Sequence, residues 1–296
     1  MITPKVESTA IDFLAGDQLA GRYVFDDEFK PYLHPLNTPR GHTLSLLSPH
    51  DHKHHRGLMY GLRARDVCFW EEFTLLPGEV VGRQRHDSLA SITGEDGAVG
   101  ITQELTWLAC DDRLITFRER RTITCRSPPE GGAYEWTWST EIEAQRDVEL
   151  IMSQWSQRKD DGALVNYHGL GIRFRRDFGC TGGNSLRLDG QKTSFEDGLG
   201  TIPAEVEFRG SIDGTWPVQR AAVTLTQFQS NALFVMETPF AFMSLGPNNL
   251  APMQLQQGQR LVERYQVTVI DLPDQERDRG YPLLPHPVRI RRRRWG

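Results

Sequence analysis

Six consecutive residues, His50 to His55, hold four of the nine histidines of the chain and lead into Arg56 and Gly57. Imidazole changes charge near neutral pH and binds transition metals. A cluster of this kind can move protons, hold a metal, or hydrogen-bond a polar group. Three roles are open. In a metal site, His52 and His54 share one face of an extended segment while His55 points to the other. Such a site needs three or four ligands, and His168 or Glu237 would complete it. In metal-free chemistry His54 or His55 exchanges a proton, Asp51 orients an imidazole and Arg56 steadies an oxyanion. In the third role the imidazoles only hydrogen-bond backbone. The HExxH and cupin-type spacings are absent, so no cofactor is expected; a divalent metal on His52, His54 and His168 is the alternative.

Further candidates lie along the chain. Asn166-Tyr167-His168 stands at the mouth of a strand-like run in which Gly169 and Gly171 leave room for a ligand or another strand. His168 is a second acid or base if the fold brings it to the first cluster, and Asn166 is a substrate-binding candidate. Glu237 ends an apolar run before a proline, where burial would raise its pKa. Arg22, Tyr32 and His34 offer a cation and rings for a sugar-binding surface. Glu263 interrupts an apolar face, as a ligand-binding carboxylate on a sheet would. There is no GxSxG, phosphate loop or GxGxxG fingerprint, which argues against a serine nucleophile and a nucleotide cofactor.

Strands must position these groups. From Ala133 to Ala144, Tyr134, Trp136, Trp138 and Ile142 alternate with Glu135, Thr137, Glu141 and Glu143, the period-two pattern of a half-buried antiparallel strand. Val99–Leu108, Arg113–Cys125 and the run through Leu261, Glu263, Tyr265, Val267 and Val269 read the same way. Gly- and Pro-rich turns separate the runs, and no long segment has a 3.6-residue apolar period. The pattern predicts an all-β protein of roughly fifteen or more strands: a large antiparallel sandwich with few short helices. The expected organisation is one domain over 1–273, with a Pro- and Arg-rich tail over 274–296 that wraps the outside or is disordered. The histidine cluster falls on a loop between strand-like runs, a common place for functional groups.

Composition narrows the partners. The net charge of −5, from 34 basic and 39 acidic residues, gives no general attraction to nucleic acid or anionic membrane. No stretch reaches the roughly 18 apolar residues that span a bilayer, and the first residues do not read as a secretory signal. Cys68, Cys110, Cys125 and Cys180 form no CxxC pair. A cytoplasmic protein with free thiols is expected. The oligomeric state is open.

Three segments carry a family resemblance: Lys30-Pro31-Tyr32-Leu33-His34-Pro35-Leu36-Asn37-Thr38-Pro39, Asp51-His52-Lys53-His54-His55-Arg56-Gly57-Leu58, and Val67-Cys68-Phe69-Trp70. They resemble a bacterial family with RPYxxPxxTPxG, DHxHHRGL and D/N-F-W motifs, labelled methane oxygenase PmoA-like. Lys30 replaces the family's arginine, so its fork geometry is not reproduced. The oxygenase label implies a membrane subunit, and the sequence lacks a spanning segment for one. The resemblance implies instead sugar catabolism and a supersandwich similar to that of galactose mutarotases. Those enzymes use two histidines, a glutamate and an arginine in a concave groove. By type and order the counterparts are His54 or His55, His168, Glu237 and Arg56.

The resulting expectation is a carbohydrate-processing enzyme acting by histidine acid/base chemistry on a small sugar or keto-sugar, through epimerisation, β-elimination or hydration. His55 and His168 are acid and base. The alternatives are a metal-dependent sugar lyase or hydrolase and a non-catalytic carbohydrate-binding protein.

Overall fold

The computed structural model describes residues 1–94, 96–111, 113–179 and 184–273. The tail expected over 274–296, and Cys180, lie outside the described residues. The expectation of an all-β sandwich holds. Among the described residues there are 22 strands, one four-residue α-helix at Phe195–Gly198 and one 3-10 turn at Arg176–Phe178. No helix is long and apolar enough to cross a membrane.

Two sheets dominate. The eight-stranded sheet runs, in spatial order, Ile2–Val6, Ala10–Ala15, Gln18–Val24, Tyr32–Leu36, Leu58–Gly61, Gly169–Arg173, Phe242–Gly246 and Ala232–Met236. The ten-stranded sheet contains the long strands Val80–Thr93, Val99–Ala109, Ile115–Arg126, Ala133–Ala144, Gln219–Gln227 and Arg260–Leu272. Neighbours are antiparallel except Val67–Cys68 beside Val80–Val81, which is parallel. The alternation read in Ala133–Ala144 appears as strict alternation of buried and half-buried residues, because one face meets the other sheet.

The inter-sheet core is rich in large rings. Trp136 meets Phe13 edge-on at 5.0 Å, and Trp138 meets Tyr23 at 6.0 Å. It also buries polar groups. The Glu119–Arg121 pair is sealed from solvent, with Trp107 donating to Glu119 at 2.7 Å. Glu263 lies here too: Tyr60 donates to it at 2.5 Å and Asn231 also bonds it. Burial raises its pKa. Glu263 is therefore a partnered core residue and not a substrate ligand, since its face of the strand looks at the second sheet.

Period two also divides the eight-stranded sheet. Leu58, Tyr60, Leu170, Ile172, Leu233 and Val235 face the inter-sheet core. Met59, Phe234 and Phe242 face the other way and join Trp70, Tyr32, Cys68, Val165, Tyr167 and Leu199 in a second apolar cluster. The candidate site stands on this outer face.

Candidate active site

The histidine loop is locally closed. Its ends are tied by Ser48 N to His55 O at 2.8 Å, and its turns by His52 N to Pro49 O and His55 N to His52 O, both at 2.9 Å. Lys30, only 1% exposed, reaches up from below. Its ammonium donates to the carbonyls of Trp70 and, at 3.4 Å, His54, and lies 3.4 Å from Glu72. One buried cation thus ties the histidine loop to the segment after Phe69-Trp70. Burial lowers its pKa, and Glu72 opposes that shift.

A cavity of about 560 Å³ opens between these two segments. His54, His55, Asp51 and Glu71 line it, together with Tyr167, and Phe73, Trp155, Phe240 and Phe242 supply aromatic walls. Trp155 is 64% and Phe73 48% exposed, whereas Glu71 is 1% exposed. Aromatic surface and a few buried polar groups are the usual makings of a small-ligand site.

The buried groups have defined charge states. Burial opposes ionisation of Glu71, but neighbouring His168, hydrogen bonds from Cys68 and Tyr167, and Arg63 outweigh it and hold its pKa at about 2. Tyr167 donates to Glu71 at 2.6 Å, and Cys68 does so at 2.9 Å. Burial, then the charge of Glu71, raises the Tyr167 pKa well above 10 and keeps the donor protonated. Burial keeps His54, His55 and His168 neutral at pH 7. Burial and then Lys30 push His54 down to about 3. Burial puts His55 well below its ordinary value and His168 at about 4.

Neighbours also choose the tautomers. Arg173 Nη1, which can only donate, faces His55 Nδ1 at 3.4 Å. Asn166 Nδ2 lies 2.8 Å from His168 Nδ1, while Asn166 Oδ1 accepts from Ser153 N at 3.1 Å. Each arrangement places the imidazole proton on Nε2. Arg173 is buried against Phe240, 3.6 Å from the ring centroid, and pairs with Asp51 at 3.2 Å. Burial lowers its pKa to about 10. Asp51 also pairs with Arg176 at 3.1 Å. Burial acts against its charge, and the hydrogen bonds it accepts, with these arginines, hold its carboxyl far below the usual range.

Residues 10–279 match the profile of a family of unknown function, DUF6807. The chain belongs to DUF6807. No curated protein matches it. Among solved structures, the GH36 alpha-galactosidase AgaB from Geobacillus stearothermophilus is similar, with 12% identity and a TM-score of 0.47 over 93% of this chain and 41% of that one. The chain thus spans less than half the length of that enzyme.

This DUF6807 chain brings together only some of the residues that its sequence offered. His54, His55 and Asp51 line the cavity. His168 does not; it lies fully buried behind Tyr167 and Trp70, with ring centroids at 5.2 and 5.5 Å. Asn166 is its hydrogen-bond partner rather than a cavity residue. Arg56 is drawn away by Glu72 at 2.8 Å and Asp27 at 3.0 Å, so it is no oxyanion group for this cavity. Its guanidinium covers Tyr32 at 5.8 Å, and that ring belongs to the buried cluster. His34 is held by Ser45 at 2.8 Å. Arg22 is paired with Glu7 and, at 3.5 Å, Asp12, and it does not line the cavity. Glu237 lines a different, neighbouring cavity. Among the described residues no group of three or more His, Cys, Asp or Glu side chains is placed to hold a metal ion, so His52, His54 and His168 do not form the ligand set considered for them.

Sequence pattern alone does not mark Glu71, Tyr167 or Trp155 as site residues. Glu71 directly follows the Phe69-Trp70 motif, and a carboxylate after two buried rings was the available signal. Trp155, in a short loop without alternation, gave none.

Proposed function

We propose that this protein is a carbohydrate-processing enzyme whose sugar or keto-sugar substrate occupies the cavity between His54, His55 and Glu71. The observation that carries the reading is the joint presence, in one cavity, of an ionised buried carboxylate, neutral imidazoles and exposed aromatic rings. The apolar C–H face of a pyranose packs on rings such as Trp155 and Phe73, and its hydroxyls need fixed hydrogen-bonding groups. The resemblance to a family linked with sugar catabolism points the same way.

The chemistry is proton transfer next to a carbonyl or at the anomeric hydroxyl, leading to epimerisation, β-elimination or hydration. Glu71 accepts the proton. A neutral imidazole with its proton on Nε2, as in His55, donates to the oxygen on which charge develops. Glu71 rather than His168 serves as base, because His168 does not line the cavity. Tyr167 keeps Glu71 oriented.

A second reading, non-catalytic carbohydrate binding, is favoured by the low pKa of His54 and of Glu71, which makes both weak bases near pH 7. Turnover assays across hexoses, keto-sugars and their glycosides separate the two. Loss of turnover in both Glu71→Gln and His55→Ala, with sugar binding retained, supports catalysis. Binding without any turnover in the unsubstituted protein supports the second reading. Turnover that is unchanged in both variants sinks the proposed mechanism.

A further inference from the structure

The cavity that holds Glu71 has a neighbour. A second cavity of about 500 Å³ lies between the hairpin segment Gln157–Asp161, the short helix and the end of the strand Ala232–Met236. Met236 borders both cavities. The chain also passes from Trp155 in the first to Gln157 in the second within two residues. The strand explains the junction. Phe234 and Met236 share one face and line the first cavity, and the chain then turns at Glu237 and Thr238 to line the second. The shared side chain is unbranched and adaptable.

Both spaces fall in the range of small-ligand pockets, roughly 300–1,000 Å³, so neither is a mere crevice beside the other. Their chemistry differs. Aromatic rings wall the first. The second is about half polar: Asp160, Asp161, Glu196, Asp197 and Glu237 stand against Arg158 and Lys159, with Phe195 and Leu199 beside them. Asp197 is engaged by Ser194 at 2.6 Å and Asp161 by Ala163 N at 2.9 Å. Asp160 and Glu196 are exposed, and among the described residues no group donates a hydrogen bond to either carboxylate. Carboxylates in this setting accept hydrogen bonds from hydroxyls and repel anions.

We infer that the substrate is at least two linked sugar units long. The reacting unit fills the His54–His55–Glu71 compartment, and a second unit without negative charge extends past Met236 to Asp160 and Glu196. This deepens the proposed function and rests on it. Both compartments being filled adds contacts that a free hexose cannot make.

The test is titration calorimetry of the full chain with glucose and galactose, and with lactose, melibiose, cellobiose and maltose, which are built from them. The expected result is at least tenfold tighter binding of one disaccharide than of either hexose. The double variant D160N/E196Q, at two exposed positions, then loses that tenfold gain and keeps hexose affinity. Equal affinity for hexoses and all four disaccharides overturns the inference and leaves the proposed function standing, as does a disaccharide preference that D160N/E196Q does not reduce. Absence of binding by every sugar overturns both.

Discussion

The Tyr167 hydroxyl stands 2.6 Å from Glu71 Oε1, bringing the entrance of one strand onto the segment that follows Trp70. Ser153 Oγ lies 2.7 Å from the same hydroxyl. The phenol therefore stabilises and aims an ionised carboxylate that solvent barely touches. Glu71→Gln removes the carboxylate proposed as proton acceptor and is expected to lower kcat/KM for a responsive sugar about 100-fold or more, the usual scale of general-base loss. Tyr167→Phe keeps the acceptor but removes one charge-assisted hydrogen bond. It is expected to cost about 1.5–3 kcal/mol in urea denaturation. A Tyr167→Phe protein as stable as the parent contradicts this account of the pair.

Lys30 is the anchor of the histidine loop, so its loss should be felt at a distance. Lys30→Met keeps the volume and removes the donor to the Trp70 and His54 carbonyls. It also leaves Glu72 with Arg56 as its remaining cation. A loss of about 1.5–3 kcal/mol is expected, the scale of hydrogen bonds from a charged group, since Arg56 still compensates Glu72. Histidine ring resonances of His54 and His55 should shift in the NMR spectrum of the variant. Unshifted rings and unchanged stability together would show that the loop holds itself.

These residues mark how far the sequence could be read. The sandwich was legible because alternation is a local signal: Trp136 and Trp138 declare their face without reference to any partner. The loop position of His54 and His55 was legible for the same reason. What failed was pairing across the chain. Arg56 looked like an oxyanion group from its neighbours in sequence, yet Glu72 and Asp27 claim it in space. Glu263 looked like an intrusion on an apolar face, and Tyr60, far away in sequence, makes it a buried acceptor. His168 does stand at a strand mouth, but whether a strand-mouth side chain reaches a cavity depends on what packs over it, here Tyr167 and Trp70. Glu71 is not marked by its sequence neighbours, because its buried charge is held chiefly by Tyr167 and His168, far along the chain.

Stability should depend on pH through the buried imidazoles, and the sign follows from which state binds the proton. In the unfolded chain each histidine titrates near 6.5. In the folded protein His54 titrates at about 3 and His168 at about 4, and His55 lies well below 6.5. Below pH 6.5 the unfolded chain takes up protons that the folded one refuses. The stability of the neutral site is therefore complete above about pH 6.5 and is lost as pH falls toward the folded values. Each of the three contributes up to about 1.4 kcal/mol per pH unit within its window. Glu71, at about 2 when folded against an ordinary 4.5, adds a loss only below 4.5. Thermal melts at pH 7.5, 6.5, 5.5 and 5.0 should show Tm level to 6.5 and falling below it. A Tm that stays level to pH 5.0 would mean that these imidazoles are not held neutral by burial.

The strand that delivers His168 to its place should tolerate no side chain at Gly169. Its φ is +95°, and a Cβ there would meet the Leu245 carbonyl oxygen at 2.1 Å. The close approach anticipated at this glycine is thus made by the neighbouring strand Phe242–Gly246 and not by a ligand. Gly169→Ala combines an unfavourable backbone conformation, about 1–2 kcal/mol, with a backbone clash that only separation of the two strands relieves. The expected loss is more than about 4 kcal/mol, the scale reached when backbone and packing both fail. Gly162→Ala is the control. Its φ is +85°, yet nothing lies within 4 Å of its Cβ position, so only the backbone cost applies. Urea midpoints of the two variants measure the difference. If Gly169→Ala loses no more than Gly162→Ala, the strand contact behind His168 is looser than this geometry requires, and the fixed tautomer that Asn166 gives His168 loses its structural support.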